Sequence, residues 1–192
     1  MQSSVNSFDH VLVEGNSAAA NADPLVYDMM AAFYTACSSF IAQNFGARKK
    51  KRILQTYLIC LFYSFITSLV LGVGIYLARY PFLYLFTSDK AVVEAGITRL
   101  SIMALSYSAS AFMDASIAAS RGLGKTAVPT FVVVMGSCVF RIIWIYTIFA
   151  YFHTIQSLYI LYVFSWGITA IAENIYFFHV YRHTLTEKKE LC

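Results

Sequence analysis

The longest uncharged stretch of the sequence is the feature that most limits how the chain can fold. Residues 53–78 contain no charged side chain, whereas an α-helix needs roughly 20 apolar residues to cross the hydrocarbon core of a bilayer. Such a stretch is too long for an ordinary buried helix. Because lipid offers no hydrogen-bond partners to the backbone, this segment is predicted to be a transmembrane α-helix.

Four further segments are long and apolar enough to span a membrane, and each contains a single charged residue. They are residues 24–44, 100–120, 127–151 and 157–181. Hydrophobic residues make up 59% of the chain and charged residues only 12%, which differs from the balance of soluble globular domains. The predicted fold is therefore all-α, a polytopic membrane helical bundle of about five transmembrane helices.

Lysine and arginine residues are distributed unevenly between the two sides of these predicted spans. One side has residues 48–52, Arg121, Lys125, Arg182, Lys188 and Lys189, and the other has Arg79, Lys90 and Arg99. Because cytoplasmic loops carry the excess of basic residues, the first group is predicted to be cytoplasmic, together with the C-terminus. The loop at residues 87–94 is then external. We expect a multi-pass protein of the plasma (inner) membrane.

The start of the first predicted span has two interpretations. Asp23 followed by Pro24 is typical of an N-cap with proline at the first helical position. Alternatively, the helical pattern of residues 16–22 lets the helix begin earlier and bend at the proline.

Small residues recur at four-residue spacing in the second span, at Ser64, Ser68 and Gly72. Residues four apart share one face of a helix, and small side chains let two helices approach closely in lipid. This face is predicted to pack against a neighbouring helix.

Several short motifs occur in a fixed order between the predicted spans. The first span ends in Gln-Asn-Phe-Gly-Ala, the outer loop contains Leu-Phe-Thr-Ser-Asp, and the inner turn reads Arg-Gly-Leu-Gly-Lys-Thr shortly before a proline. Together with the stretch at residues 2–21, they resemble the MATE family of multidrug and toxic compound extrusion transporters. The residues of this chain that match the family motifs are Gln43, Asn44, Gly46, Arg121, Gly122, Gly124 and Pro129.

The resemblance implies an architecture of two pseudo-symmetric lobes with six helices each. The chain corresponds to helices eight to twelve and the tail of helix seven, so the N-terminal lobe is expected as a missing partner. Residues 1–9 are then the tail of a preceding helix, residues 10–182 are the C-terminal transmembrane lobe, and residues 183–192 are a cytoplasmic tail.

Charged residues within the spans are functional candidates, because an unpaired charge in hydrocarbon is costly. Asp114 shares a helix face with Tyr107 and Ser110, and Glu173 follows Thr169 at four-residue spacing. A carboxylate beside hydroxyl groups in a medium of low dielectric constant suits binding of H⁺ or Na⁺. We therefore expect Asp114 and Glu173 to be the candidates for coupling to the cation.

A second interpretation of these carboxylates is structural, because an ion pair with Arg141 would fix the packing of the helices. In this interpretation Glu173 is its expected partner, because the long Arg141 side chain can cover part of the difference in depth between them. Tyr107, Ser110, Arg141 and Thr169 are the candidate residues of a cavity in the lobe. For Gln43 and Asn44, completing the hydrogen bonds of a helix end is expected rather than binding of a transported molecule.

Signatures of enzymes, cofactors and metal sites do not stand out in the sequence. The sequence Gly-Lys-Thr at residues 124–126 resembles the end of a phosphate-binding loop, but Ala119 stands where the first glycine of that motif belongs. The histidines and cysteines lack the spacing of metal ligands. Neither enzymatic activity nor a cofactor or metal is expected.

The predicted function is that of a fragment of a cation-coupled antiporter, driven by H⁺ or Na⁺, that exports organic cations or drugs. One alternative is a flippase-like exporter of lipid-linked or amphipathic molecules, and another is a transport-incompetent fragment with a structural role. The expected partners are the lipid bilayer, a small organic cation and the missing N-terminal lobe. No nucleic-acid partner is expected, because the basic run at residues 48–52 lacks interleaved aromatic residues.

Overall fold

The computed structural model describes residues 9–152 and 154–183, and the described residues form helices without any strand. In chain order the helices are α1 (His10–Ala20), α2 (Ala22–Gly46), α3 (Lys50–Leu77), α4 (Arg79–Tyr84), α5 (Lys90–Gly122), α6 (Ala127–Phe152) and α7 (Ile155–His183). Two short π-helical segments, Met135–Val139 and Ile145–Phe149, interrupt α6. The predicted all-α fold is confirmed.

The described helices include four that are long and apolar enough to cross a membrane, namely His10–Gly46, Lys50–Leu77, Ala127–Phe152 and Ile155–His183. The first of these combines α1 and α2. Helix α5 adds a fifth span if its two parts, Lys90–Ala104 and Ser106–Gly122, are counted together, since they meet at an angle of 44°. The prediction of about five transmembrane helices is confirmed in this sense.

The first span begins earlier than Pro24. Asp9 caps α1 by accepting a hydrogen bond from the backbone N–H of His10 at 2.8 Å, and Asn21 lies at the junction with α2. Asp23 therefore lies inside the first turn of α2, and its predicted role as an N-cap is wrong. Pro24 is tolerated there, because the first turn of a helix has no internal partner for a backbone N–H.

Helix α5 is the central element, since it contacts α1, α2, α3 and α7. The predicted packing face of α3 is buried at Ser64, Ser68 and Gly72. A Cβ atom added at Gly72 would lie only 2.1 Å from the carbonyl oxygen of Ala104 on α5. The stripe of small residues thus lets two transmembrane helices meet backbone to backbone.

The glycines of the inner turn have two different structural roles. A Cβ atom at Gly122 would lie 2.7 Å from the carbonyl oxygen of Ser38, so this glycine lets the end of α5 touch α2. Gly124 has a φ of +76°, a backbone conformation that favours glycine. Pro129 is buried in the first turn of α6, where a residue without a backbone N–H is tolerated.

The other motif residues lie at the neighbouring end of α2. The Asn44 side chain donates a hydrogen bond to the carbonyl oxygen of Phe40 at 2.8 Å, which completes the last turn of the helix. Gln43 and Gly46 are exposed, and so is Arg121 at the end of α5.

The predicted tails lie mostly outside the described residues. The structure describes Asp9 from the first tail and His183 from the second, whereas residues 1–8 and 184–192 fall outside it.

Candidate functional site

A cavity of about 440 Å³ lies between α2, α5 and α7. Its wall combines aromatic rings, methionines and two carboxylates. The lining residues are Asp23, Pro24, Val26, Tyr27, Met30, Met103, Tyr107, Ser110, Met113, Asp114, Tyr162 and Trp166. The volume falls within the range of about 300–1,000 Å³ that is usual for small-molecule sites.

The predicted residues of α5 meet in this cavity. Tyr107, Ser110 and Asp114 all line it, because their spacing places them on one side of the helix. The Ser110 hydroxyl donates to the carbonyl oxygen of Tyr107 at 2.8 Å. Within the described ranges no basic side chain lies within ion-pair distance of Asp114. The carboxylate of Asp114 can therefore meet a cation in the cavity, with Arg121 acting on it only from beyond ion-pair distance.

The end of the cavity beside α1 contains a polar network that the sequence analysis did not find. The Asp23 carboxylate forms an ion pair with Arg99 and accepts a hydrogen bond from the Tyr107 hydroxyl. Arg99 also donates to the side-chain oxygen of Asn16 at 2.7 Å. The network therefore joins α1, α2 and α5.

The depths of these charges follow from helix geometry. About 35 Å of helix separates Asp23 from Gly46 at the end of α2. The same length separates Arg99 from Gly122 at the end of α5. Because the hydrocarbon core is about 30 Å thick, both residues lie near one boundary of the core when Gly46 and Gly122 lie at the other. Asp114 lies about 12 Å from Gly122 and so in the half of the core that is nearer to Gly122.

Arg141 and Glu173 do not form the expected ion pair. The Arg141 Nε donates to the Ser165 hydroxyl at 3.1 Å, and its guanidinium lies 4.5 Å from the centre of the Tyr162 ring. Glu173 is fully buried, and neither of its carboxylate oxygens has a hydrogen-bond partner among the described residues. The prediction was wrong because depth along a helix does not determine which neighbour a side chain faces.

Arg141 and Thr169 lie outside the cavity wall. Arg141 is connected to the wall through Tyr162, which lines the cavity and contacts the guanidinium. Thr169 belongs to the contact between α6 and α7, where a Cβ atom at Gly136 would lie 2.0 Å from its hydroxyl oxygen. Ser165 strengthens this contact by donating to the carbonyl oxygen of Gly136 at 2.8 Å.

The lining of the cavity suits an organic cation with a large apolar surface. Aromatic faces attract cations through the quadrupole of the ring, and methionine side chains adapt to irregular apolar shapes. Carboxylates supply the charge that such a ligand needs when it leaves water.

Comparison with known proteins identifies the family. A family model described as MatE matches residues 1–147, which contain α1 to α5 and most of α6. No curated protein matches the chain. The order of the motifs, the apolar helices and the matched range agree, and the chain belongs to the MatE family, whose members are transporters and not enzymes.

Proposed function

We propose that this chain forms the C-terminal lobe of an antiporter that exports organic cations in exchange for H⁺ or Na⁺. The observation that carries the proposal is the position of Asp114, a carboxylate that forms no close ion pair among the described residues, in the wall of an aromatic and methionine-rich cavity. The lobe lies in the plasma (inner) membrane with its C-terminus in the cytoplasm, as the distribution of basic residues indicates.

Coupling follows if the coupling ion and the organic cation compete for the same carboxylate. When H⁺ or Na⁺ binds Asp114, the cavity loses the charge that holds an organic cation. By thermodynamic linkage, the bound organic cation weakens binding of the coupling ion to the same extent. An exchange of one cation for the other then requires that the cavity open to each side of the membrane in turn.

A second lobe is part of this mechanism, because alternating access depends on one lobe moving against another around the binding site. Glu173 remains a second candidate for coupling. Its burial means that a cation reaches it only after α7 has moved relative to its neighbours.

The position of Arg141 favours an organic cation over a lipid-linked anion. A flippase-like exporter needs basic residues in its central cavity, but the charged residues that line this cavity are Asp23 and Asp114. The guanidinium of Arg141 is directed at Ser165 and Tyr162 instead.

Transport by a complete two-lobe protein that contains this chain tests the proposal. Liposomes with an imposed H⁺ or Na⁺ gradient should accumulate a fluorescent organic cation only when the gradient is present. Asp114→Asn should abolish the stimulation by the gradient, because asparagine keeps the shape and removes the charge. Asp28→Asn is the matched control, since Asp28 is exposed and lies outside the cavity wall.

Two outcomes would overturn the proposal. The first is an Asp114→Asn protein whose uptake depends on the gradient as the unmodified protein does. The second is the absence of organic-cation flux, and then transfer of a fluorescent phospholipid between the leaflets would favour the flippase-like alternative. Absence of both fluxes would favour a transport-incompetent chain.

A further inference from the structure

Two carboxylates line the cavity, but they differ in their surroundings. Asp23 is neutralised by Arg99, whereas Asp114 has no basic partner within ion-pair distance among the described residues. With both carboxylates ionised, the two acids and Arg99 together carry a net charge of minus one. This balance depends on a single arginine.

Arg99 is held in place on several sides. Its side chain is 8% exposed, one terminal nitrogen contacts Asp23, and the other donates to Asn16, which is itself buried. Close contact of α1 with α5 fixes Asn16, because a Cβ atom at Gly15 would lie 2.7 Å from the carbonyl oxygen of Val92. The guanidinium cannot leave Asp23 without breaking a contact between two helices.

Asp23 remains accessible from the cavity despite this pairing. Its side chain is 38% exposed, and it belongs to the cavity wall. Tyr107, which donates to Asp23, precedes Asp114 by about two helical turns, or roughly 10 Å of helix, and the length of the Tyr107 side chain adds to the distance between the two acids. Because both acids line one cavity, an elongated dication is the ligand that places one charge toward each of them.

We infer that Arg99 determines the charge selectivity of the cavity, so that the site accepts monovalent organic cations and rejects divalent ones of the same shape. The inference rests on the proposed function. A monocation finds its counter-charge at Asp114. The second charge of a dication reaches the end of the cavity beside α1 and meets a carboxylate that Arg99 has already neutralised, and an uncompensated charge next to an apolar wall is costly.

A pair of matched probes tests this inference. Methylphenylpyridinium and methyl viologen are both rod-shaped two-ring cations, and they differ mainly in carrying one or two charges. Binding is measured with the chain in lipid nanodiscs by fluorescence. The Trp144→Phe background leaves Trp166, in the cavity wall, as the single tryptophan of the chain.

The unmodified cavity should bind the monocation at least about tenfold more tightly than the dication. Arg99→Gln should raise the affinity for the monocation about tenfold, because a unit charge ~10–15 Å away at an effective dielectric constant of ~20 contributes about that factor. The affinity for the dication should rise further, because its second charge then meets an unpaired Asp23, so the preference for the monocation is lost. The double variant Arg99→Gln with Asp23→Asn should restore the preference for the monocation. Arg79→Gln is the control, since Arg79 stacks on Tyr76 and Tyr80 instead.

A second variant decides the case in which Arg99→Gln does not fold. Asp23→Asn leaves the charge of Arg99 uncompensated, and it should weaken binding of the monocation about tenfold. An unchanged affinity in this variant contradicts the inference, because a purely structural ion pair would not alter the affinity of the folded protein.

The outcomes separate this inference from the proposed function. If the unmodified chain binds neither probe, or if Asp114→Asn binds the monocation equally well, both are wrong. If binding of the monocation depends on Asp114 but Arg99→Gln keeps the original preference, only the role of Arg99 is wrong.

Discussion

Two glycines on α3 allow a sharp test of how the lobe is packed. Gly72 and Gly74 are separated by a single residue, but they face different surroundings. A Cβ atom at Gly72 would lie 2.1 Å from the carbonyl oxygen of Ala104, whereas a Cβ atom at Gly74 would have no neighbour within 4 Å. Alanine at the two positions should therefore change stability in opposite directions.

The size of each effect follows from these distances. Ordinary van der Waals contact begins at 3.4 Å, so Gly72→Ala forces α3 and α5 apart by about 1 Å. Overpacking of this kind costs about 1–3 kcal/mol. Gly74 is exposed in the interior of a helix, where replacing glycine by alanine stabilises by about 1 kcal/mol. The two variants should differ in unfolding free energy by about 2–4 kcal/mol.

Thermal unfolding in nanodiscs measures this difference. The measured quantity is the temperature at which the protein stops being monodisperse after heating. Compared with the unmodified chain, this temperature should be lower for Gly72→Ala and equal or higher for Gly74→Ala. The unmodified chain and Gly74→Ala are prepared in the same lipid as controls. If Gly72→Ala is as stable as Gly74→Ala, the backbone contact between α3 and α5 does not exist as described.

Three further predictions concern packing, coupling and topology. Tyr57→Phe should destabilise the lobe by about 1 kcal/mol, because the hydroxyl of Tyr57 donates to Asn174 at 2.7 Å; a thermal unfolding curve that does not move contradicts this. In a complete two-lobe transporter, Asp114→Asn should remove the H⁺ or Na⁺ dependence of export, whereas Glu173→Gln should retain more of it, because Asp114 lines the cavity and Glu173 does not. Initial export rates at several pH values and Na⁺ concentrations measure this dependence, and equal losses in the two variants refute the prediction. In a cysteine-free background, an impermeant thiol reagent added outside should label a cysteine at position 90 and not one at position 50; the opposite pattern refutes the predicted topology.

Features that depend on neighbouring residues in the chain could be predicted from the sequence. The spans follow from apolar length, and Gly124 and Pro129 follow from the requirements of a tight turn and a first helical turn. Asp114 was found because a carboxylate within an apolar helix has few explanations other than pairing or function.

The pairing of distant charges could not be predicted in the same way. Asp23 and Arg99 lie near the ends of their spans, where charged residues are ordinary, and they come from different helices. The length of the Arg141 side chain favoured a pairing with Glu173, but the structure directs Arg141 at Ser165 and leaves Glu173 without a hydrogen-bond partner among the described residues. Sequence patterns give the depth of a side chain and the face of its own helix, but the arrangement of neighbouring helices decides which faces meet.

Charge, and not volume, distinguishes the candidate site from other concave surfaces of the lobe. A groove of about 400 Å³ between α6 and α7 and one of about 590 Å³ beside Phe65 and Phe112 are comparable in size to the cavity. Neither has a charged lining residue, so each offers a ligand little more than an apolar surface, which lipid chains also provide. A cation gains from entering the lobe only where a carboxylate replaces its hydration, and of these three surfaces the cavity that contains Asp114 is the one that provides it.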